Sequence, residues 1–348
     1  MLKRIVFFVL TIIVLVAGFM AYQFFKPAVH NPGDNYFYIQ SGDDVAAVKK
    51  NLVDGHFISG NNFDLASRLF QFHKARPGRY KLKNRMSLYQ LIKMLRNGRQ
   101  TPVKMVIVKE RTKEIFAGKF GRGKKFDVEC DSAGVIRFLN SNDSLKTFGV
   151  DTTTVMTLVM PYTYELSWNT TPRKIVQQFY AAYTKFWNSE RKEKADSLHL
   201  TPDKVITLAS VIEEETNRKD DKYNIASTYL NRLRKGMKLQ ADPTVRFAVR
   251  DFTLKRITGS LLQVVSPYNT YMYAGLPPGP ICTPSVESIE AVLDAPVTDY
   301  LYFVASSKFD GSTIFTSNYE DHMKYARAYQ QELTRRMDSS RKANARKQ

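Results

Sequence analysis

Cysteine is almost absent from this chain. Cys130 and Cys282 are the only two in 348 residues and lie far apart. They cannot build a metal site by themselves, and the five histidines show no ligand spacing of the H-x-x-x-H kind. One disulfide or two free thiols would both fit. There is no Gly-rich phosphate loop and no G-x-S-x-G elbow. Metal, nucleotide and serine-hydrolase chemistry therefore have no footing, and no cofactor is expected. Acid is also short, with 33 Asp+Glu against 52 Lys+Arg and a net charge of +19. An anionic partner follows: nucleic acid, an acidic membrane surface or an anionic polymer. A nucleic-acid binder would gather its basic residues into a stripe with interleaved aromatics. Here they are spread along the chain, with only Gly121–Lys125 and the C-terminal tail clustered, so nucleic acid is set aside.

Long apolar runs are scarce as well. Ile5–Phe25 is the single one, 21 positions interrupted only by Thr11 and Gln23. It is long enough to cross a bilayer as a helix. Lys3 and Arg4 precede it, which puts the N-terminus in the cytoplasm and the rest outside. A cleavable signal peptide is the alternative. The run exceeds a typical signal core and Ala17–Ala21 offers no A-x-A site, so a retained single-pass type II anchor is expected.

What is present is a packed globular composition, 43% hydrophobic and 12% aromatic. The fold class expected is α+β: one N-terminal transmembrane helix, a small α+β module and a larger mixed α+β domain. Residues 1–26 form the stub and anchor, and 27–35 a Pro/Gly linker. Residues 36–101 read strand–helix–helix–strand, then a helix capped by Ser87 and stopped at Asn97-Gly98. That plan resembles a LysM-type glycan-binding module; a mere spacer is the plainer reading. Residues 102–160 connect through mixed structure. Thr171, with Pro172 behind it, caps a helix running through Phe186 to a solvated Arg191–Lys194 end. Residues 336–348 make a charged, irregular tail.

The sharpest signals start at Thr201, an N-cap followed by Pro202. At 100° per residue, Val205, Leu208, Ala209 and Ile212 make one apolar stripe. Glu214 then points to solvent, while Glu213 and Glu215 sit on opposite edges of the stripe. Glu215 falls between Leu208 and Val211, where a carboxyl would be half-buried against aliphatic carbon. Burial disfavours its charge, as a general acid near neutral pH requires; a solvated helix end is the plain alternative. Asp220-Asp221 caps the next helix, which Gly236 ends. Ser266–Ser285 holds five prolines, two glycines and three tyrosines in twenty residues, a rigid loop of the kind that carries function. Tyr268, Tyr271 and Tyr273 offer flat faces for sugar rings and Asn269 a donor and acceptor for acetamido groups, although each tyrosine alone is equally a core residue. A helix over Val286–Leu293, strands at Tyr300–Ala305 and Thr313–Phe315, and a helix over Tyr319–Arg335 complete the chain.

The runs VITLASVIEEET (Val205–Thr216), NRLRKGMKLQADPTV (Asn231–Val245), SPYNTY…GLPPGPI (Ser266–Ile281) and YLYFVAS (Tyr300–Ser306) together resemble the MltG (YceG-like) family. Its members are membrane-anchored endolytic murein transglycosylases. The likeness reaches from the anchor to about Arg335, and residues 161–335 would be the catalytic domain. The family's E-x-E-T pattern falls on Glu213–Thr216, which makes Glu215 the catalytic carboxyl. Its Pro-Asp-Thr-Tyr appears here as Pro161-Tyr162-Thr163-Tyr164, without the acid. The resemblance implies cleavage of the MurNAc-β-1,4-GlcNAc bond of peptidoglycan strands at the bacterial inner membrane, leaving 1,6-anhydro ends. It also implies a setting near penicillin-binding proteins or glycan polymerases. Glu213, Asp242 and Thr216 are the supporting candidates, and Gln240, Tyr268, Asn269, Tyr271 and Tyr273 the candidates for substrate contact. A non-catalytic, membrane-tethered peptidoglycan-binding scaffold is the rival from another class.

Overall fold

The computed structural model describes residues 2–345 apart from Asp34 and Lys255. It is mixed α+β with small sheets, and its chain divides into two compact units. The first comprises Met1–Met105, Lys119–Val135 and Tyr164–Ile175; the second Val106–Gly118, Ile136–Thr163 and Val176–Gln348. The connecting stretch at 102–160 is thus apportioned between them.

In the first unit, α1 (Leu2–Phe25) is exposed along its apolar length and buries only Phe24. Its 24 residues rise about 36 Å, more than the roughly 30 Å of a bilayer core. It is long and apolar enough to cross a membrane. β1 (Tyr36–Ile39) leads to α2 (Val45–Asp54), α3 (Phe63–Leu69), β2 (Gly78–Lys81) and α4 (Leu88–Asn97). β1 and β2 pair antiparallel, Tyr36 opposite Lys81 and Ile39 opposite Gly78. Strand alternation turns Phe37 and Ile39 inward, onto Val48, Leu52, Leu91, Ile92 and Leu95. Asp44 caps α2 by accepting from the Ala47 N–H at 2.7 Å, and Ser87, the cap expected for α4, forms a reciprocal capping box with Gln90. A second small sheet joins β3 (Val103–Val106) to β4 (Thr163–Leu166). Cys130 in this unit and Cys282 in the other are free thiols.

Helices α5 (Lys113–Ala117), α6 (Ser132–Leu139) and α7 (Asn142–Leu145) precede six others. These are α8 (Pro172–Phe186), α9 (Ser189–Ser197), α10 (Pro202–Glu215), α11 (Lys219–Arg234), α12 (Asp242–Val249) and α13 (Val286–Leu293). The hairpin β5 (Tyr302–Ala305)–β6 (Thr313–Thr316) and α14 (Tyr319–Ala345) close the unit. Its core is built on α10. Val205 to Ile212 are all buried, not a single stripe, because α13, α11 and α12 pack around the helix. A helix apolar on one side yet covered all round needs small or internally bonded polar residues elsewhere. Thr207 and Ser210 meet that need by donating to the carbonyls of Asp203 and Thr207.

Several boundaries differ from expectation. The helix from Thr171 ends at Phe186, because Asn188 caps a separate helix through its acceptor for the Arg191 N–H at 3.0 Å. Asp220 and Asp221 lie inside the first turn of α11, not at its cap. Asp221 is buried and accepts from the Thr313 hydroxyl at 2.8 Å. The last helix continues to Ala345, through residues expected to be irregular; 346–348 lie outside the described residues.

Candidate active site

Three consecutive carboxylates end α10, and each meets a different segment. Glu213 turns toward the start of α13. Its Oε2 accepts from the hydroxyls of Ser285 and Ser288, both at 2.6 Å, and from Lys222 at 3.2 Å. Burial would raise its pKa, but these bonds with Lys222 and Lys109 hold it down to about 2. It is an ionised anchor for the α13 N-terminus. Glu214 does not reach solvent as the helical wheel implied. Its side chain is 14% exposed and pairs with Lys109 at 3.1 Å and Arg111 at 3.2 Å. The reason is that residues 106–118 fold back against this face.

Glu215 lies at the last helical position and lines an open groove of about 770 Å³. The residue is half-buried: the groove reaches it from one side, and protein crowds its carboxyl from the others. Burial pushes it from 4.5 up to about 7, against the pull of Tyr229, whose hydroxyl donates to Oε1 at 2.7 Å. The charge of Asp242 adds to the rise and that of Arg246 opposes it. A carboxyl with this environment holds its proton close to neutral pH and can both give and take it.

The groove wall opposite α10 is the β5–β6 hairpin with α14. Two residues of α11 hold the strand that enters it. Asn231 donates to the carbonyls of Thr298 (2.9 Å) and Tyr300 (3.0 Å), and Arg232 Nε to that of Leu301 at 2.6 Å. The proline-rich loop is fastened to α10 by the Ile281 N–H, which donates to Ser210 Oγ at 3.0 Å. Gly279 sits so close to the Thr153 carbonyl that a Cβ would collide with backbone, which fixes the residue type there. Thr270 ties the other end of the loop, receiving the Gln240 N–H on its carbonyl and the Ala241 N–H on its hydroxyl. Tyr271 consequently reaches the groove and donates to Asp242 Oδ1 at 2.6 Å.

Of the residues singled out from sequence, Glu215, Thr216, Gln240, Asp242 and Tyr271 line this groove together. The others lie elsewhere. Glu213 is spent on α13. Asn269 is fully buried, its amide donating to the carbonyls of Leu262 and Val264 and its Oδ1 accepting from Tyr271 N–H. It shapes the loop and has no group left for a sugar. Tyr268 packs on Phe247, ring centres 4.6 Å apart. Tyr273 lines a separate hollow with Val265, Pro267 and Leu276. Sequence reasoning missed Tyr229, Arg232, Arg246, Phe303, Phe309, His322 and Tyr329, all of which line the groove. Tyr229 sits on the same apolar face of α11 as Ile225 and Ala226, and only the turn between α10 and α11 brings its hydroxyl to Glu215.

The chain matches the YceG-like family over residues 37–328. A Bacillus subtilis (strain 168) endolytic murein transglycosylase is 43% identical over 148 residues, 42% of this chain and 39% of that protein. The Streptococcus pneumoniae serotype 2 endolytic murein transglycosylase is 32% identical over 168 residues, 47% of this chain and 30% of that protein. The matched part therefore spans less than half the length of either relative. The crystal structure of a yceG-like protein from Listeria monocytogenes superposes with a TM-score of 0.52 at 26% identity, covering 83% of this chain and 98% of that one.

Proposed function

Because this chain belongs to the YceG-like family, we propose that it is a membrane-anchored lytic transglycosylase that cuts murein strands internally. α1 would hold it in the bacterial inner membrane, with the residues that follow it on the outer side. The observation that carries the reading is the carboxyl of Glu215, raised to about 7 at the edge of an open groove. That groove lies within the size range of ligand clefts, roughly 300–1,000 Å³.

In this reading protonated Glu215 gives its proton to the glycosidic oxygen as the bond to C1 of MurNAc breaks. The carboxylate so formed takes the proton of the MurNAc C6 hydroxyl, whose oxygen bonds to C1 and closes the 1,6-anhydro ring. No water is consumed. The sugar's own acetamido group can support the cationic centre, so a second nucleophilic carboxylate, as in paired-acid glycosidases, is not needed. Tyr229 orients the Glu215 carboxyl, and Asp242, fixed by Tyr271, keeps its proton on by charge. The 36–101 module would help hold the strand near the membrane.

The test is mass analysis of products from purified glycan strands. Wild-type protein should yield fragments with anhydro ends, and Glu215→Gln should lower turnover by about 10²–10⁴-fold while remaining folded and inserted. Near-normal turnover by Glu215→Gln, or its loss in Glu213→Gln alone, would overturn the assignment. Binding without any product from the wild type would favour the scaffold reading.

A further inference from the structure

The groove contains two arginines, and they are used differently. Arg232 spends its guanidinium on the carbonyls of Leu301 (2.6 Å), Leu239 (2.9 Å) and Lys238 (3.1 Å). It is a structural brace. Arg246 stands one turn beyond Asp242 on α12, so both face the groove. Yet Asp242 is engaged by Tyr271 at 2.6 Å, and no ion pair joins it to Arg246. Among the described residues no carboxylate pairs with Arg246, and its Nε–H is buried without an acceptor. Nearby Lys109 and Arg111 are both committed to Glu214.

An N–H buried and unpaired is costly, and native proteins keep few of them without a purpose. A guanidinium offers five donors in a planar fork that matches a carboxylate in two parallel bonds. We propose that Arg246 is a carboxylate-binding subsite beside Glu215, receiving a carboxylate carried by a substituent of the substrate sugar. This rests on the murein reading above and narrows its substrate. With Glu214 paired to Lys109 and Arg111 and Glu215 protonated, the uncompensated charge of Asp242 remains in the lining, and Arg246 supplies the cation that draws an anionic strand past it. Two sources carry the same chemistry: the lactyl carboxylate of a peptide-free MurNAc, and the carboxylates of an attached peptide. Arg246 is a positioning residue for the strand and takes no part in proton transfer.

Binding tests this without requiring turnover. Full-length Glu215→Gln protein in detergent micelles is titrated with three labelled strands: peptide-bearing, peptide-free, and peptide-free with its carboxyls amidated. The first or second should bind about 10–100-fold more tightly than the amidated strand, as loss of a charge-assisted pair implies. Whichever is preferred identifies the source. Adding Arg246→Gln should erase that preference while leaving the amidated strand unaffected, and Arg246→Lys should restore part of it. In the Glu215-intact protein Arg246→Gln should raise KM by a similar factor, and loss of its charge beside Glu215 should move the alkaline fall of kcat upward in pH. Equal binding of all three strands by Glu215→Gln, a uniform loss on every strand with Arg246→Gln, or no strand binding at all overturns the subsite. Discrimination by Glu215→Gln combined with no product from the wild type would leave the subsite standing and sink the lytic reading instead.

Discussion

A carboxyl kept protonated by burial weakens the fold wherever it must ionise, and this can be measured without any substrate. Glu215 has its pKa raised from 4.5 to about 7. Between those values the folded protein holds a proton that the unfolded chain has released, so stability falls as pH rises and levels off above about 7. The full cost is two and a half pKa steps, about 3 kcal/mol at 1.36 kcal/mol per step. The groove reaches the residue, so this is an upper value. Glu215→Gln removes the charge, keeps the shape and keeps an oxygen for Tyr229. The variant should be more stable than wild type by about 1 kcal/mol at pH 5, about 2 at pH 6 and about 3 at pH 8. Urea unfolding in micelles, followed by fluorescence in a Trp168→Phe background, isolates Trp187, which is buried in the same core cluster as α10. A stability difference that stays flat from pH 5 to 8, or a Gln variant weaker at pH 8, would refute the argument that burial holds this proton.

Tyr229→Phe removes the hydroxyl that favours ionised Glu215. The alkaline fall of activity, where the acid loses its proton, should move up by about one pH unit, the worth of a bond to a charged group; a move downward would contradict the assignment. Glu213→Gln should behave in the opposite sense to Glu215→Gln in unfolding experiments. A carboxylate lowered to about 2 gives stability that is present above 4.5 and lost as pH falls through 2. The variant should lose about 3 kcal/mol at pH 7 and progressively less toward pH 2; equal stability at pH 7 would show that its bonds to Ser285, Ser288 and Lys222 carry no weight.

Much of the fold was legible because its signals are local. Thr201-Pro202, Ser87 and Asn97-Gly98 each act within one turn of backbone, and the helices they bound appear where those signals put them. The helix over Val286–Leu293 appears as read, with Ser285 as the cap that its sequence had not been read to supply. The break between α8 and α9 was harder to see, because a charged amphipathic run reads the same whether or not Asn188 interrupts it. The turn of helix at Asp242–Val249 was not read as a helix at all. Tail residues gave no apolar period, so nothing in them distinguished a solvated helix from an irregular end.

The site shows where that locality stops. A helical wheel gives each residue of α10 a direction, and it sent Glu214 to solvent, where the structure has it paired with Lys109 and Arg111. What occupies each direction is decided by chain far away: Ser285 and Ser288 for the first, Lys109 and Arg111 for the second, Tyr229 and Asp242 for the third. Adjacent residues of one type thus become an anchor ionised down to about pH 2, a member of a paired charge cluster, and a carboxyl that titrates near 7. The tyrosine-rich loop follows the same logic. Tyr268 and Asn269 have the right chemistry for sugars but are spent on packing and on loop carbonyls. Tyr271 reaches the groove because Thr270 beside it is tied to Gln240 and Ala241. Residue type states what a side chain can do. The competing partners that arrive from distant sequence decide which of those capacities remains for a substrate, and in this groove they leave Glu215 its proton and Arg246 its fork.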